Sequence, residues 1–394
     1  MKKFCKIIIS LTLVLALSSC SSITGRVSLS KEEYQEYLKN KEIIDKVKFL
    51  EGVIDDNYLF DYNKEDLESG IYKGIFEALD DPYSQYFTEE EFKSLIEQTD
   101  GKFGGIGIVV TAADDGYLTV VSPIKDTPAD KAGIKSGDRI VKIEGQEFTA
   151  KEMEAAVKLM KGEAGTDVNV TFSRKGEGDL WEDFEKKITR EIIKIDSVLK
   201  KDIDDYSYIL ISSFEDETDE DFKKAMEEAK DKKGVIIDLR NNPGGRLDTV
   251  VNIADYLLKE GPIVYTVDKK GKEEVENSDK NMNDMPLVVL VNGASASASE
   301  ILAGSIKDYK RGEIIGETTF GKGIVQRLFP VANEGFKLTV SEYFTPKKNK
   351  IHKKGVNPDI EVKLNDGVER IGIENLNEDN QLQKAIEVLK NKTK

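Results

Sequence analysis

The chain is poor in the side chains that usually run hydrolytic chemistry. Its 394 residues include one histidine, His352, and two cysteines, Cys5 and Cys20. A Ser-His-Asp triad would therefore have to use His352. No Glu-x-x-His or His-x-x-x-His pair is present to hold zinc, so no metal site is expected. His352 lies in the lysine-rich stretch 347–354 and reads as a solvated loop residue. Basic charge is also short: Lys and Arg number 58 against 74 Asp and Glu, a net charge of -16. Nucleic-acid binding needs basic surface, so that class is excluded. The mean hydropathy is negative, which rules out a polytopic membrane protein.

The one early apolar run, from Ile7 to Leu17, is too short to span a bilayer comfortably. It follows the basic pair Lys2 and Lys3 and ends in Leu17-Ser18-Ser19-Cys20. Small residues before a cysteine at that place resemble the lipobox of bacterial lipoprotein signal peptides. Residues 1–19 are then a signal peptide, Cys20 is the lipidated N-terminus, and 20–29 are a tether. The membrane is a partner through a lipid anchor rather than a span. Cys5 leaves with the signal and Cys20 is consumed by lipid. That excludes disulfides, a thiol nucleophile and a Cys/His zinc site.

What is present begins with helices. Ser30-Lys31-Glu32-Glu33 is a capping box, and Ile43, Ile44, Val47 and Leu50 follow at helical spacing. A small helical region is expected over 30–99, with an Asp80-Asp81-Pro82-Tyr83-Ser84 turn inside it. From Gly101 the pattern becomes glycine turns and short strands. Gly105-Ile106-Gly107 enters the strand Ile108-Val109-Val110, and Ala132-Gly133-Ile134…Gly137-Asp138 precedes another strand. This order resembles a PDZ domain of the protease-associated type, placed over 100–190. The resemblance implies capture of a peptide C-terminus by strand addition at Gly105, Ile106, Gly107 and Ile108, against the helix face at Val157 and Met160. The stretch 195–205 reads as a charged connector, and 268–285 as a polar exposed segment.

The remainder alternates strand and helix. Val235-Ile236-Ile237 and Leu287-Val288-Val289-Leu290-Val291 are continuous apolar runs, the mark of strands covered on both faces. An α/β core is expected over 191–378, β-rich after Gly316, with a C-terminal helix over 379–394. After the Leu287 strand, Ser295-Ala296-Ser297-Ala298-Ser299-Glu300 opens a helical pattern. A serine there meets unpaired amides and a field that favours negative charge, a suitable place for an oxyanion. With histidine and thiol set aside, the base available is a lysine. A lysine serves only if burial lowers its pKa. Lys322, in Phe320-Gly321-Lys322-Gly323-Ile324, has no charged neighbour between Glu317 and Arg327.

The two blocks 295–304 and 316–326, together with Asp238-Leu239-Arg240-Asn241-Asn242-Pro243-Gly244-Gly245 and the Asp80–Ser84 turn, closely resemble the C-terminal processing peptidases. By position, that resemblance implies Ser297 as nucleophile, Lys322 as general base and Gln326 as the residue that orients it. It implies an oxyanion hole from Ala298 and the Gly244-Gly245 turn, with Gly245 the favoured donor. It further implies a multi-domain fold with the PDZ domain inserted ahead of the α/β core, no cofactor, protein substrates with accessible C-termini, a PDZ domain that gates the site, and a homodimer. A catalytically silent PDZ adaptor is the alternative, and the intact Ser297, Lys322 and Gln326 argue against it. A Ser-x-x-Lys hydrolase is disfavoured because Glu300, not lysine, follows Ser297 by three.

Overall fold

The computed structural model describes residues 30–176, 178, 180–368 and 370–394, so the signal segment, Cys20 and the tether lie outside the described residues. The chain divides into two compact units, Met1–Gly70 and Ile71–Lys394. In the first, the helix Lys31–Asn57 is capped as expected: the Glu33 amide donates to Ser30 Oγ and the Ser30 amide to Glu33 Oε2. None of its residues is buried.

The second unit holds the PDZ-like module and the core. The module is an antiparallel sheet ordered Ile108–Ala112, Leu118–Pro123, Arg139–Ile143, Asp167–Lys175 and Trp181–Thr189. Alternate residues of these strands (Leu118, Val120, Val168, Val170, Phe172) fill one buried cluster with Ala156 and Met160 of the helix Met153–Met160. A period of two places every second side chain on the core face. Glu191–Lys194 leaves the module by pairing back on Lys102–Gly105.

The core sheet runs Val198–Ile203, Tyr206–Ile211, Gly234–Asp238, Leu287–Val291, Glu313–Gly316, Ile360–Glu361. Pairing is parallel except at Val198–Ile203. The apolar runs are buried on both faces. Val235, Ile237, Val289 and Val291 pack against Thr218–Glu228, Leu247–Leu257 and Ala298–Tyr309. Ile236, Val288 and Leu290 pack against Asn380–Lys392.

One expectation is corrected. The supposed connector contains the strand Val198–Ile203, an antiparallel edge of the core sheet. Its lysines mark an exposed edge, where charge deters pairing with other chains, rather than a loop. The polar segment 268–285 is exposed over most of its length, as expected, and contains the strand Glu273–Ser278, paired with Gly261–Asp268. That pair joins a second sheet with Glu334–Phe344, Ile324–Val331 and Gln85–Phe87.

A buried ionic network fastens the last helix. The Arg240 guanidinium donates to Asp238 on its own loop and to both carboxylate oxygens of Asp379 at 2.7–2.8 Å. Tyr208 donates to Asp238, and the Gly372 and Leu382 amides donate to Asp379. Removing one member strands a buried charge. Asp379→Ala is expected to lower stability by about 3–5 kcal/mol, read from urea unfolding. A loss under about 0.5 kcal/mol would show that the network does not hold the helix.

Candidate active site

Three loops at the carboxyl ends of three adjacent parallel strands build one cleft. Gly234–Asp238 leads into 241–246, Leu287–Val291 into 292–297, and Glu313–Gly316 into 317–323. Such strand ends are where open α/β sheets bind ligands. The cleft has a volume of about 880 Å³, and Ser297, Ala298, Gly244, Gly245, Lys322 and Gln326 all line it. The sequence-predicted site residues of the core, scattered over 82 positions (244 to 326), are thus brought together.

Among the three serines of the Ala-Ser alternation, two have structural partners. Buried Ser295 donates to the Leu239 carbonyl at 2.8 Å, and buried Ser299 donates to the Asn242 carbonyl at 3.0 Å. Ser297 is the one that lines the cleft. Its backbone sits at φ 55°, ψ -115°, immediately before the helix Ala298–Tyr309. A non-glycine residue held there costs on the order of 1–3 kcal/mol and persists where its surroundings over-determine it. Those surroundings are identifiable. The Ser297 amide donates to Glu300 Oε2 at 2.9 Å, and Tyr343 Oη donates to the Ser297 carbonyl at 2.9 Å. A Cβ at Gly244 would lie 2.7 Å from Ser297 Cβ, so only glycine fits beside the turn.

The two candidate glycines differ in what their amides do. The Gly244 amide already donates to Asn242 Oδ1 at 2.8 Å. The Gly245 and Ala298 amides donate to no group among the described residues. Asn242, fully buried, also anchors the loop through Nδ2 to the Ile211 carbonyl. A developing negative charge in the cleft would meet two uncommitted donors.

Lys322 is partly buried, and Gly321 turns the chain at φ 91°. Burial, then the charge of Lys337, push its pKa below the ordinary lysine value, while Asp81 and Glu300 pull it back. Its ammonium lies 4.6 Å from the centroid of the Tyr83 ring. Among the described residues no hydrogen bond joins Lys322 Nζ to Ser297 Oγ. Gln326 Nε2 stands 3.5 Å from the Ile324 carbonyl and from Thr339 Oγ1, with no bond to Lys322. Catalytic hydrogen bonds are often long without substrate.

Several site residues escaped the sequence reading. Glu300 is fully buried and accepts from Thr319 Oγ1 (2.5 Å), the Gly321 amide (2.7 Å), the Lys322 amide (2.8 Å) and the Ser297 amide. Its legible signal was an acid three residues after a helix-opening serine, in the small and apolar first turns of the helix. Tyr343, also buried, sets its hydroxyl against the carbonyls of both Ser297 and Lys322. Burial, then the Glu300 charge, push its ionisation well above the ordinary tyrosine value, so it stays a donor.

His352 is corrected: it is half-buried, its Nδ1 is enclosed without a hydrogen-bond partner among the described residues, and its backbone packs on Gly323. It is absent from the cleft lining. In the PDZ-like module, Ile106 is 2% exposed and packs in the domain core, and its carbonyl accepts from the Ala129 amide at 2.8 Å. It can offer a peptide its backbone and not its side chain. Ile108 and Val157 are half-buried beside that core. Gly107, at φ 79°, would strike Thr127 with any Cβ. Among the described residues, the Ile106 and Gly107 amides donate to no partner outside the strand ladders.

Comparison with known proteins finds relatives over most of the chain. The peptidase family S41 model matches residues 205–362, a PDZ domain model matches 104–181, and the model of the activating protease CtpB N-terminal domain matches 15–91. The carboxy-terminal processing protease CtpA of Bacillus subtilis is 35% identical over 365 residues, covering 91% of this chain and 77% of that one. A carboxy-terminal-processing protease of Bartonella bacilliformis is 40% identical over 293 residues, 72% of this chain. The chain spans 66% of the length of that relative. A solved structure described as an S41 protease from Bacteroides fragilis shares the fold, at TM-score 0.50 and 14% identity, covering 82% of this chain and 90% of that one. With these similarities and a helical, PDZ and α/β architecture to match, the chain belongs to the carboxy-terminal processing proteases of peptidase family S41.

Proposed function

We propose that this chain is an exported serine endopeptidase that takes hold of substrate C-termini with its PDZ domain and cleaves through a Ser297–Lys322 acyl-enzyme. The observation that carries the reading is the single cleft in which Ser297, Lys322 and the uncommitted amides of Gly245 and Ala298 meet. Neutral Lys322 takes the Ser297 Oγ proton as Oγ attacks the scissile carbonyl carbon. The Gly245 and Ala298 amides hold the oxyanion. The lysine then gives its proton to the departing amine, and water hydrolyses the ester. Gln326, on the strand that continues from the base loop, orients the lysine once substrate is bound. Ser297→Ala and Lys322→Ala are each expected to lower kcat/KM on an unstructured protein substrate by about 1,000-fold or more with folding retained. Activity within tenfold of wild type in either variant would overturn the dyad.

The tail-reading part draws support from the Gly105–Gly107 loop, whose Ile106 and Gly107 amides remain available to a carboxylate. Amidating a peptide substrate's C-terminus is expected to raise KM severalfold with kcat less affected. Equal kinetics for the acid and the amide would refute tail recognition.

The lipid anchor rests on Leu17-Ser18-Ser19-Cys20. Cys20→Ala is expected to abolish incorporation of labelled palmitate and to remove the protein from the membrane fraction. Labelling and retention like those of wild type would refute it.

A further inference from the structure

The turn Asp80–Ser84 lies outside the peptidase match, within the residues matched by the CtpB N-terminal domain. It is nevertheless built into the wall beside the base. The Thr339 amide donates to Ser84 Oγ at 3.0 Å, and Ser84 Oγ donates to Asp81 Oδ2 at 2.6 Å. The Tyr83 amide donates to Asp81 Oδ1 at 3.0 Å. The strand Gln85–Phe87 then pairs in register with Gly335, Phe336 and Lys337. These bonds fix the Tyr83 ring 4.6 Å from Lys322 Nζ. The ammonium otherwise has no hydrogen-bond partner among the described residues.

The charged and titratable groups around Lys322 come from three further elements. Asp81 and Tyr83 are on the turn, Lys337 and Tyr343 on the strand Glu334–Phe344, and Glu300 on the helix Ala298–Tyr309. The Glu300 carboxylate is spent on four donors. The Tyr343 hydroxyl is turned to backbone carbonyls. Lys337, itself half-buried, repels. That leaves the Tyr83 face in contact with the lysine's charge, while the Asp81 carboxylate, itself bonded by Ser84 and the Tyr83 amide, acts on it through its field. Burial opposes ionisation of Asp81, but bonds from Ser84, Thr339 and the Tyr83 amide, with the Lys322 charge, keep its pKa below the ordinary range.

We propose that Asp81 and Tyr83 are positioning residues for Lys322: the ring seats its ammonium between turnovers, the carboxylate holds the turn that carries the ring and adds its field, and the lysine reaches Ser297 after it gives up that proton and leaves the ring. The proposal rests on the dyad reading above. The proton passes to solvent in the open cleft, and no bond other than N–H is broken. The seat favours the charged form, so it holds the acid limb of the rate profile at higher pH than burial and Lys337 alone would. Asp81→Asn keeps the shape of the turn and removes the charge, so Lys322 should deprotonate more readily. Lys337→Met removes the repulsion and should do the reverse.

The test is the pH profile of kcat/KM on a fluorescence-quenched peptide with a free C-terminus, for the full chain and five variants. The acid limb is expected about 0.5–1 pH unit lower in Asp81→Asn and higher by a similar step in Lys337→Met. Tyr83→Leu, which removes the ring face that favours the ammonium, should move the limb lower by a similar step, and Tyr83→Phe, which keeps the face, should leave it where wild type has it. A limb unmoved in both Asp81→Asn and Tyr83→Leu, while Lys322→Ala is inactive, overturns the seat and leaves the dyad standing. Activity in Lys322→Ala overturns both. Should Asp81→Asn fail to fold, the Tyr83→Leu and Tyr83→Phe pair with Lys337→Met decides alone, since a limb that moves with loss of the ring face and stays with phenylalanine is not expected of a side chain that merely packs.

Discussion

A buried carboxylate, Glu300, is the constraint on which the site depends. It has no exposed surface, and it gathers donors from both sides of the cleft. The Ser297 amide comes from its own helix start, and Thr319, Gly321 and Lys322 come from a loop about twenty residues later. A charge in a low-dielectric interior is tolerated when its lone pairs are satisfied, and satisfied this way it becomes rigid. One side chain therefore sets the separation of two backbone segments that carry the serine and the lysine. It does so while leaving Ser297 Oγ and Lys322 Nζ outside its own bonding. Tyr343 repeats the link from the other side, with its hydroxyl between the two carbonyls of the same residues.

That clamp explains how the chain sustains a strained serine. The φ of 55° at Ser297 is costly in isolation. It persists because the amide and carbonyl on either side of the angle each have a buried partner, and because Gly244 leaves room that no other residue would. The same geometry leaves the Ala298 amide at the helix mouth without a partner. An unpaired amide there is an electrostatic resource as well as a cost. Asn242 completes the selection by taking up the Gly244 amide, which leaves that of Gly245 open.

The electrostatics of Lys322 belong to the whole of the second unit rather than to the peptidase segment. Burial and Lys337 favour the neutral amine, and Asp81 and the Tyr83 ring favour the ammonium. In the proposed dyad a base has to take a proton and later return it, so both kinds of influence would serve it. The turn that supplies the second influence is held by a strand pairing between Gln85–Phe87 and residues 335–337.

The architecture was largely legible in the sequence. The two-faced apolar runs, the glycine-punctuated module and the capping box at Ser30 all announce themselves through local periodicity. The edge strand Val198–Ile203 did not, because its lysines carry an edge signal that reads locally as a charged loop. The elimination of histidine and thiol chemistry came from counting, and the likeness of the Ser297 and Lys322 blocks to one family came from motif order. The sequence could not show which serines were already bonded, which glycine amide was open, that His352 packs against Gly323, or that Tyr83 faces Lys322. Apart from the local Asn242–Gly244 bond, those facts are contacts between segments far apart along the chain, with separations that reach the 255 positions from Ser84 to Thr339. Spacing along a sequence records which face of its own helix or strand a side chain occupies. Which distant donor it meets there is settled by how the sheets and loops pack, and in this chain that packing decides which atoms remain free to react.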